Sequence, residues 1–202
     1  MKIALFGSTG RVGSVVFQRA ISEYEVNRLV RRGSGQEAPG TEIVGDVLNE
    51  GDVMKTIEGS EAVVSCLNTD KQDVLTKSMP ILLKAMRSYG VKRIITCGTA
   101  GILQARTDDG LYRFQSSESK RRSTTAAEDH LRAFLMLQAS EMDWTIVCPT
   151  YLPDGERLGN YRTERNVLPE GGSSISMYDT GDFICKQLSD RSFIKSRVGI
   201  CY

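Results

Sequence analysis

Seven residues near the start of the chain carry the clearest chemical signal: Gly7-Ser8-Thr9-Gly10-Arg11-Val12-Gly13. Their spacing is G-x-x-G-x-x-G, and no Gly-Lys-Ser/Thr follows, so the stretch is not a P-loop. Placed between a strand and a helix, such a turn divides its labour. Gly7 permits the tight turn, Gly10 lets backbone approach a pyrophosphate, and Gly13 lets helix and strand pack closely. The free N–H groups and positive dipole end of the helix then attract phosphate. A glycine turn that serves packing alone is the alternative. About twenty residues on, where a carboxylate would hold the ribose hydroxyls of NAD, stand Arg28-Leu29-Val30-Arg31-Arg32. Guanidinium groups present planar donor forks to phosphate. Arg31 and Arg32 therefore favour NADP(H) over NAD(H), with a solvated basic turn as the plainer reading.

Other reactive residues narrow the chemistry. The residues four after Tyr24, Tyr89, Tyr112, Tyr151, Tyr161 and Tyr178 are Arg28, Arg93, Ser116, Gly155, Arg165 and Asp182, and Tyr202 is terminal. No Tyr-x-x-x-Lys pair exists, which disfavours a standard alcohol dehydrogenase or sugar epimerase. Hydride transfer to a flavin or quinone needs no such pair, because the electron-poor ring accepts hydride and takes its proton from solvent. His130 is the only histidine; it suits proton transfer or a structural hydrogen bond at a helix boundary. Leu131, Phe134, Leu135 and Met136 around it read as core residues. Asp129 and Glu128 read as serving a helix N-terminus. Lys120-Arg121-Arg122 could draw in an anionic substrate or be a solvated run. Cys66, Cys97, Cys148, Cys185 and Cys201 are odd in number and lack Cys-x-x-Cys spacing, so neither a disulfide framework nor a metal site is expected.

The elements that must position these residues alternate along the chain. Strands are expected over 2–6, 25–30, 41–44, 61–65, 93–97, 144–147 and 198–201. Helices are expected over 11–22, 50–57, 73–89, 125–140 and 179–188. Asn49 should cap the second helix, Gly90 should close the third, and Pro80 should kink the third or mark its true start. Thr125-Ala126-Ala127-Glu128 fits a capping box. Strand–helix alternation with crossovers of this length predicts an α/β doubly wound parallel sheet, the Rossmann fold, with helices on both faces. The whole chain, 1–202, reads as one NAD(P)-binding domain, with 98–122 and 148–172 as loops over the nicotinamide and substrate site.

The same residues resemble a family. The stretches 3–13, Leu29-Val30-Arg31, Val44-Gly45-Asp46-Val47-Leu48, 62–69, Tyr89-Gly90-Val91-Lys92, 97–100, Glu128-Asp129-His130-Leu131-Arg132, 144–149 and Asp179-Thr180-Gly181-Asp182-Phe183 are similar to the atypical, NmrA-like short-chain dehydrogenases/reductases. Within them the chain most resembles the NADPH-dependent flavin (biliverdin-IXβ) reductases. The likeness spans nearly the whole chain and is weakest over 102–125. It implies that Thr9, Gly10, Arg11 and Val12 hold the pyrophosphate, Arg31 the 2′-phosphate, and Asp46 and Val47 the adenine. It implies Leu67, Asn68 and Thr69 along the ribose and nicotinamide, with Cys97 among the cofactor-binding residues. Pro149, Thr150 and Tyr151 would form the far wall, and Thr99, His130 and Tyr151 would be the catalytic set. Tyr151 stands where the flavin reductases carry a second histidine, and Thr99 replaces their serine, which bears on the acceptor rather than on the cofactor.

Composition sets the outer bounds. With 202 residues, 40% hydrophobic and 25% charged, and a net charge of +1, the chain is an ordinary globular protein with no electrostatic case for nucleic acid or an anionic membrane. It has no apolar run of about 18 residues and no signal-peptide layout, so a cytoplasmic protein is expected. The expectation is an NADPH-dependent reductase of a flavin, quinone or related conjugated acceptor, acting as a monomer or weak dimer. The rival is an NADP(H)-binding redox sensor that docks on partner proteins with little turnover.

Overall fold

Eight strands join in one sheet, ordered β3-β2-β1-β4-β5-β6-β8-β7. The computed structural model describes residues 1–33, 39–69, 73–119 and 123–202. The strands are β1 Lys2–Phe6, β2 Glu25–Val30, β3 Glu42–Val44, β4 Ala62–Ser65, β5 Arg93–Cys97, β6 Asp143–Pro149, β7 Arg162–Arg165 and β8 Ser196–Cys201. The helices are α1 Arg11–Ala20, α2 Glu50–Ile57, α3 Val74–Ser88, α4 Thr125–Gln138 and α5 Met177–Lys186. All pairings are parallel except β7 with β8. β1 lies between β2 and β4, so the crossover direction reverses there. This is the Rossmann arrangement, and ligands of such sheets bind in the crevice at that reversal, beyond the strand C-termini.

The central strands are apolar on both faces because helices cover both. On one side Ala4, Phe6, Val63, Ile94 and Ile146 meet residues of α2, α3 and α4. On the other, Ile3, Leu5, Val64, Ile95 and Val147 meet α1 and α5. α1 and α5 approach closely at Gly181, where a Cβ would fall 2.6 Å from a Val15 methyl. Buried Arg93 ties the layers together: its guanidinium donates to the Asp143 and Gln187 carbonyls and to the Thr145 hydroxyl at 2.7–2.8 Å. Desolvation pulls its pKa down to about 10, so it stays charged at neutral pH.

Local signals mostly act where the sequence puts them. The Asn49 side chain accepts from the Asp52 N–H at 3.1 Å. Gly90, at φ +70°, ends α3 with Val91 N–H on the Met86 carbonyl and Gly90 N–H on that of Arg87, the paired bonds of a Schellman motif. Three expectations need correction. Pro80 does not mark the start of α3, which begins at Val74 and runs through it to Ser88. The cap of α4 is Thr124, one residue earlier than expected. Its hydroxyl bonds the Glu128 carboxylate at 2.6 Å, which puts Glu128 one position too late for a capping box. Leu135, read as core, is 45% exposed.

The two segments read as loops are partly ordered. Within 98–122, Ala100–Ile102 and Arg113–Gln115 form single 3-10 turns, and Ile102, Leu103 and Ala105 are buried. Glu118 gathers the N–H groups of Arg106 and Thr107 and the Arg113 guanidinium. Burial works to raise its pKa, but these donors outweigh it and hold the carboxyl below the ordinary range. The run Lys120-Arg121-Arg122 lies outside the described residues. Within 148–172 the sequence reading missed β7. Arg162-Thr163-Glu164-Arg165 has no apolar alternation; it is a charged antiparallel edge, the composition that protects a sheet edge from further pairing. Among the described residues no helix is long and apolar enough to cross a membrane.

Candidate functional site

The glycine turn follows β1 directly. Gly7 adopts φ +80°, and a Cβ there would sit 2.6 Å from the Cys66 carbonyl oxygen, so both conformation and space require glycine. A Cβ on Gly13 would lie 1.9 Å from the Gly7 carbonyl oxygen, so α1 packs backbone to backbone against the turn. Gly10 differs. Its φ is ordinary, and the nearest atom to an added Cβ would be 3.4 Å away. Nothing within the protein demands glycine there; the missing side chain leaves room outside the fold. Gly10 is also the cap of α1, so the N–H groups of Arg11, Val12 and Gly13 have no intrahelical acceptor. No acidic residue occupies this first turn.

Next along the edge lie the residues expected on the adenosine side. Arg31 and Arg32 follow β2 and are exposed. Neighbouring Arg28 serves the fold instead. It is buried, stacks 4.1 Å over the Phe17 ring and pairs with Glu42 at 2.5 Å. Asp46 follows β3 in a turn that its own carboxylate builds by accepting the Leu48 N–H at 2.9 Å. Val47 packs on the core beside it.

Strand register assembles the other end. Ser65 aligns with Thr96, and Cys97 with Val147. Leu67, Asn68 and Thr69 after β4, Gly98 and Thr99 after β5, and Pro149, Thr150 and Tyr151 at β6 therefore leave the same edge. Asn68 turns its side-chain oxygen onto the Thr69 N–H at 2.8 Å. The Thr99 hydroxyl accepts the Gly101 N–H at 3.3 Å and keeps its own proton to donate. His130, on α4, lines a niche of about 20 Å³ with Ser65, Thr96, Cys97, Phe134 and Ile146. Thr99 and His130 thus belong to the β5–α4 side. Tyr151 stands apart on the segment after β6, 65% exposed, with its carbonyl accepting the Ile175 N–H at 3.0 Å.

The thiols here are not nucleophiles. Burial pushes Cys97 and Cys148 up to about 12 and raises Cys66 well above its usual value, and only a thiolate attacks. All five cysteines are free. Among the described residues no group of three or more His, Cys, Asp or Glu side chains is arranged to hold a metal.

Three features test whether a dinucleotide suits this edge, and all fit. The first turn of α1 offers unpaired N–H groups, an added Cβ at Gly10 would meet only ordinary contacts at 3.4 Å and beyond, and the buried hydroxyls of Ser8 and Thr150 have no hydrogen-bond partner. Buried polar groups rarely stay unpaired, and these two lie in the glycine turn and just after β6, both at the C-terminal edge of the sheet. Sequence reasoning missed Ser8, although it lies inside the glycine motif.

It also misjudged one carboxylate. Asp129 does not serve its own helix. Fully buried, it reaches across to the start of α3 and accepts the Leu75 and Thr76 N–H groups and the Thr76 hydroxyl at 2.5–3.2 Å. Burial alone would raise its pKa, but those donors lower it below the carboxylate norm. Asp179 behaves alike, accepting from the Leu158 and Gly159 N–H groups and the Tyr202 hydroxyl at 2.6–3.0 Å. Its pKa also ends below normal, burial opposing and Tyr202 leading the donors.

This geometry agrees with what the chain is related to. It belongs to the NAD(P)H-binding family, which matches residues 7–191. It is similar over its whole length to an exported-protein candidate from Burkholderia pseudomallei, at 25% identity, TM-score 0.86 and full coverage of both chains. A Streptococcus pneumoniae protein whose name proposes an NADH-flavin reductase gives 22% identity and TM-score 0.85, covering 100% of this chain and 99% of that one. A Bacteroides thetaiotaomicron protein whose name proposes an epimerase gives 25% and 0.83, covering 100% and 96%.

Proposed function

We propose that the protein is an NADPH-dependent reductase that transfers a hydride to a flavin, quinone or related conjugated acceptor. The observation that carries the reading is the glycine turn: unpaired N–H groups at the start of α1 beside a glycine whose missing side chain lets a ligand approach the backbone. Arg31 and Arg32, exposed at the end of β2, support NADP(H) through the 2′-phosphate. The bound cofactor would supply the hydride. Thr9 to Gly13 would hold its pyrophosphate, Asp46 and Val47 its adenine, and Leu67, Asn68, Thr69, Cys97, Pro149 and Thr150 its nicotinamide half. The missing Tyr-x-x-x-Lys pair supports an acceptor that needs no protein acid, with Thr99, Tyr151 and His130 orienting it. The name of the S. pneumoniae neighbour supports the flavin acceptor, although it names NADH as the cofactor.

One observation bears on the rival sensor reading. The niche at His130 is about 20 Å³, room for about one water rather than a conjugated ring. On the reductase reading the acceptor would lie outside that niche, on the open side toward Tyr151, with His130 at its edge. NADPH oxidation followed at its absorbance band, with FMN, FAD and several quinones and with NADH in parallel, decides between them. Rapid, acceptor-selective oxidation of NADPH is expected. Tight NADPH binding with no oxidation by any acceptor would establish the sensor instead.

A further inference from the structure

An arginine is the wrong residue to begin a helix. The first turn carries the positive end of the helix dipole, where acids are favoured and cations are not. α1 nevertheless begins with Arg11 and has no acid in its first turn. Its compensation comes from a distance. The Asp154 carboxylate, 143 residues on, accepts from the Arg11 guanidinium at 2.8 Å.

Packing does not account for this contact. The Asp154 side chain is 97% exposed. The segment around it is already anchored on both sides. Tyr151 bridges to Ser174 at one end. At the other, Leu158 and Gly159 donate to buried Asp179, and Arg157 pairs with Asp182 at 2.7 Å. Between these anchors, Asp154 brings a negative charge to the first residue of the helix whose N–H groups await an anion. An exposed ion pair contributes little to stability, so its effect falls on whatever competes for the arginine.

We infer that Asp154 is an internal competitor for the dinucleotide's pyrophosphate at Arg11. This rests on the dinucleotide reading of the glycine turn and adds its regulation. In the free protein Asp154 holds the Arg11 guanidinium. With a pyrophosphate's two negative charges beside the α1 N-terminus, the guanidinium turns to the phosphate and the Asp154 carboxylate is repelled. Residues 152–156 are released from α1, so occupancy of the turn is coupled to the segment that carries Tyr151 at the acceptor end.

The test is a titration of NADPH against the wild type, Asp154→Asn, Asp154→Glu, Arg11→Ala and the Arg11→Ala/Asp154→Asn double variant, at low and high salt. Asp154→Asn is expected to bind about two- to fivefold more tightly at low salt, with the gain shrinking as salt screens the pair. Asp154→Glu, which keeps the charge, should restore wild-type affinity. In the Arg11→Ala background the Asp154→Asn gain should vanish; a gain that persists there would reflect general charge removal and overturn the inference. Unchanged or weaker binding by Asp154→Asn would also overturn it while leaving the dinucleotide reading intact. A wild type that binds no dinucleotide would end both. The site is too exposed for folding to confuse the result, and melting temperatures across the Asp154 variants provide the check.

Discussion

The two ends of the crevice are built by different means. At the proposed pyrophosphate end the shape comes from backbone: two glycines without which β1, α1 and the Cys66 turn could not touch, and a third whose added Cβ would meet nothing closer than 3.4 Å. At the proposed acceptor end the shape comes from side chains on three strand ends and on α4, with a largely exposed tyrosine nearby. Backbone packing is intolerant, because one methyl group has nowhere to go. Exposed side chains are exchangeable, because replacing one changes what is bound and not whether the protein folds. On the proposed reading, the molecule holds its dinucleotide fixed and leaves its acceptor open to exchange.

Substitutions can break or sharpen that contrast. The largest effect is expected from Gly13→Ala. Its Cβ would meet the Gly7 carbonyl oxygen at 1.9 Å, forcing α1 off the turn at a cost of about 3 kcal/mol and abolishing dinucleotide binding. Urea denaturation and an NADPH titration read the two losses together.

Asp129→Ala should cost about 2–3 kcal/mol, since it leaves the Leu75 and Thr76 N–H groups buried without an acceptor. The pH dependence has a definite sign. The folded-state pKa of Asp129 lies below the ordinary 3.8, so its contribution is fully present above that value and is lost as pH falls through the folded pKa. Asp179 adds in the same direction. Acid titration of stability should show the wild type losing ground below about pH 4, and Asp129→Ala losing less over that range. An equal loss in both would remove Asp129 from the account.

Arg31→Ala should weaken NADPH by about 2 kcal/mol, roughly thirtyfold, the worth of a charge-assisted contact, with NADH nearly unaffected. Equal losses for the two cofactors would mean that the arginine does not read the 2′-phosphate. The smallest effect belongs to Tyr151→Ala. The ring is 65% exposed, so stability should hold while acceptor KM rises by about fivefold, the scale of one lost aromatic contact. Steady-state kinetics with saturating NADPH shows it, and an unchanged KM takes Tyr151 out of the site.

The same contrast explains what could be read in advance. Strand and helix positions were legible because apolar periodicity and the capping residues Asn49 and Gly90 are local properties. The roles of Gly7 and Gly13 were legible because their spacing implies backbone contact. β7 was not, since the charged run Arg162–Arg165 becomes a strand only when β8 lies beside it. Asp129 could not be assigned from its own helix, because the groups it caps lie more than fifty residues earlier on α3. The partly ordered 98–122 segment is held by Arg197, whose guanidinium reaches the Ile102 carbonyl and lies 4.5 Å over the Phe134 ring. No signal near 98–122 announces that partner. The acceptor end was the less legible of the two because its determinants are tertiary.

Gly10 offers the most direct test of the central claim, that the glycine turn exists to hold a dinucleotide phosphate. Gly10→Ala leaves every internal contact at 3.4 Å or more, so the fold should survive intact. The measurement is calorimetric titration of NADPH and NADH into wild type and Gly10→Ala, with thermal melts alongside. The account predicts wild-type binding that favours NADPH, and a Gly10→Ala protein that stays folded, with a melting temperature lowered by no more than the loss of a good helix cap, and binding weakened at least about tenfold. A Gly10→Ala protein that binds NADPH as the wild type does would contradict it.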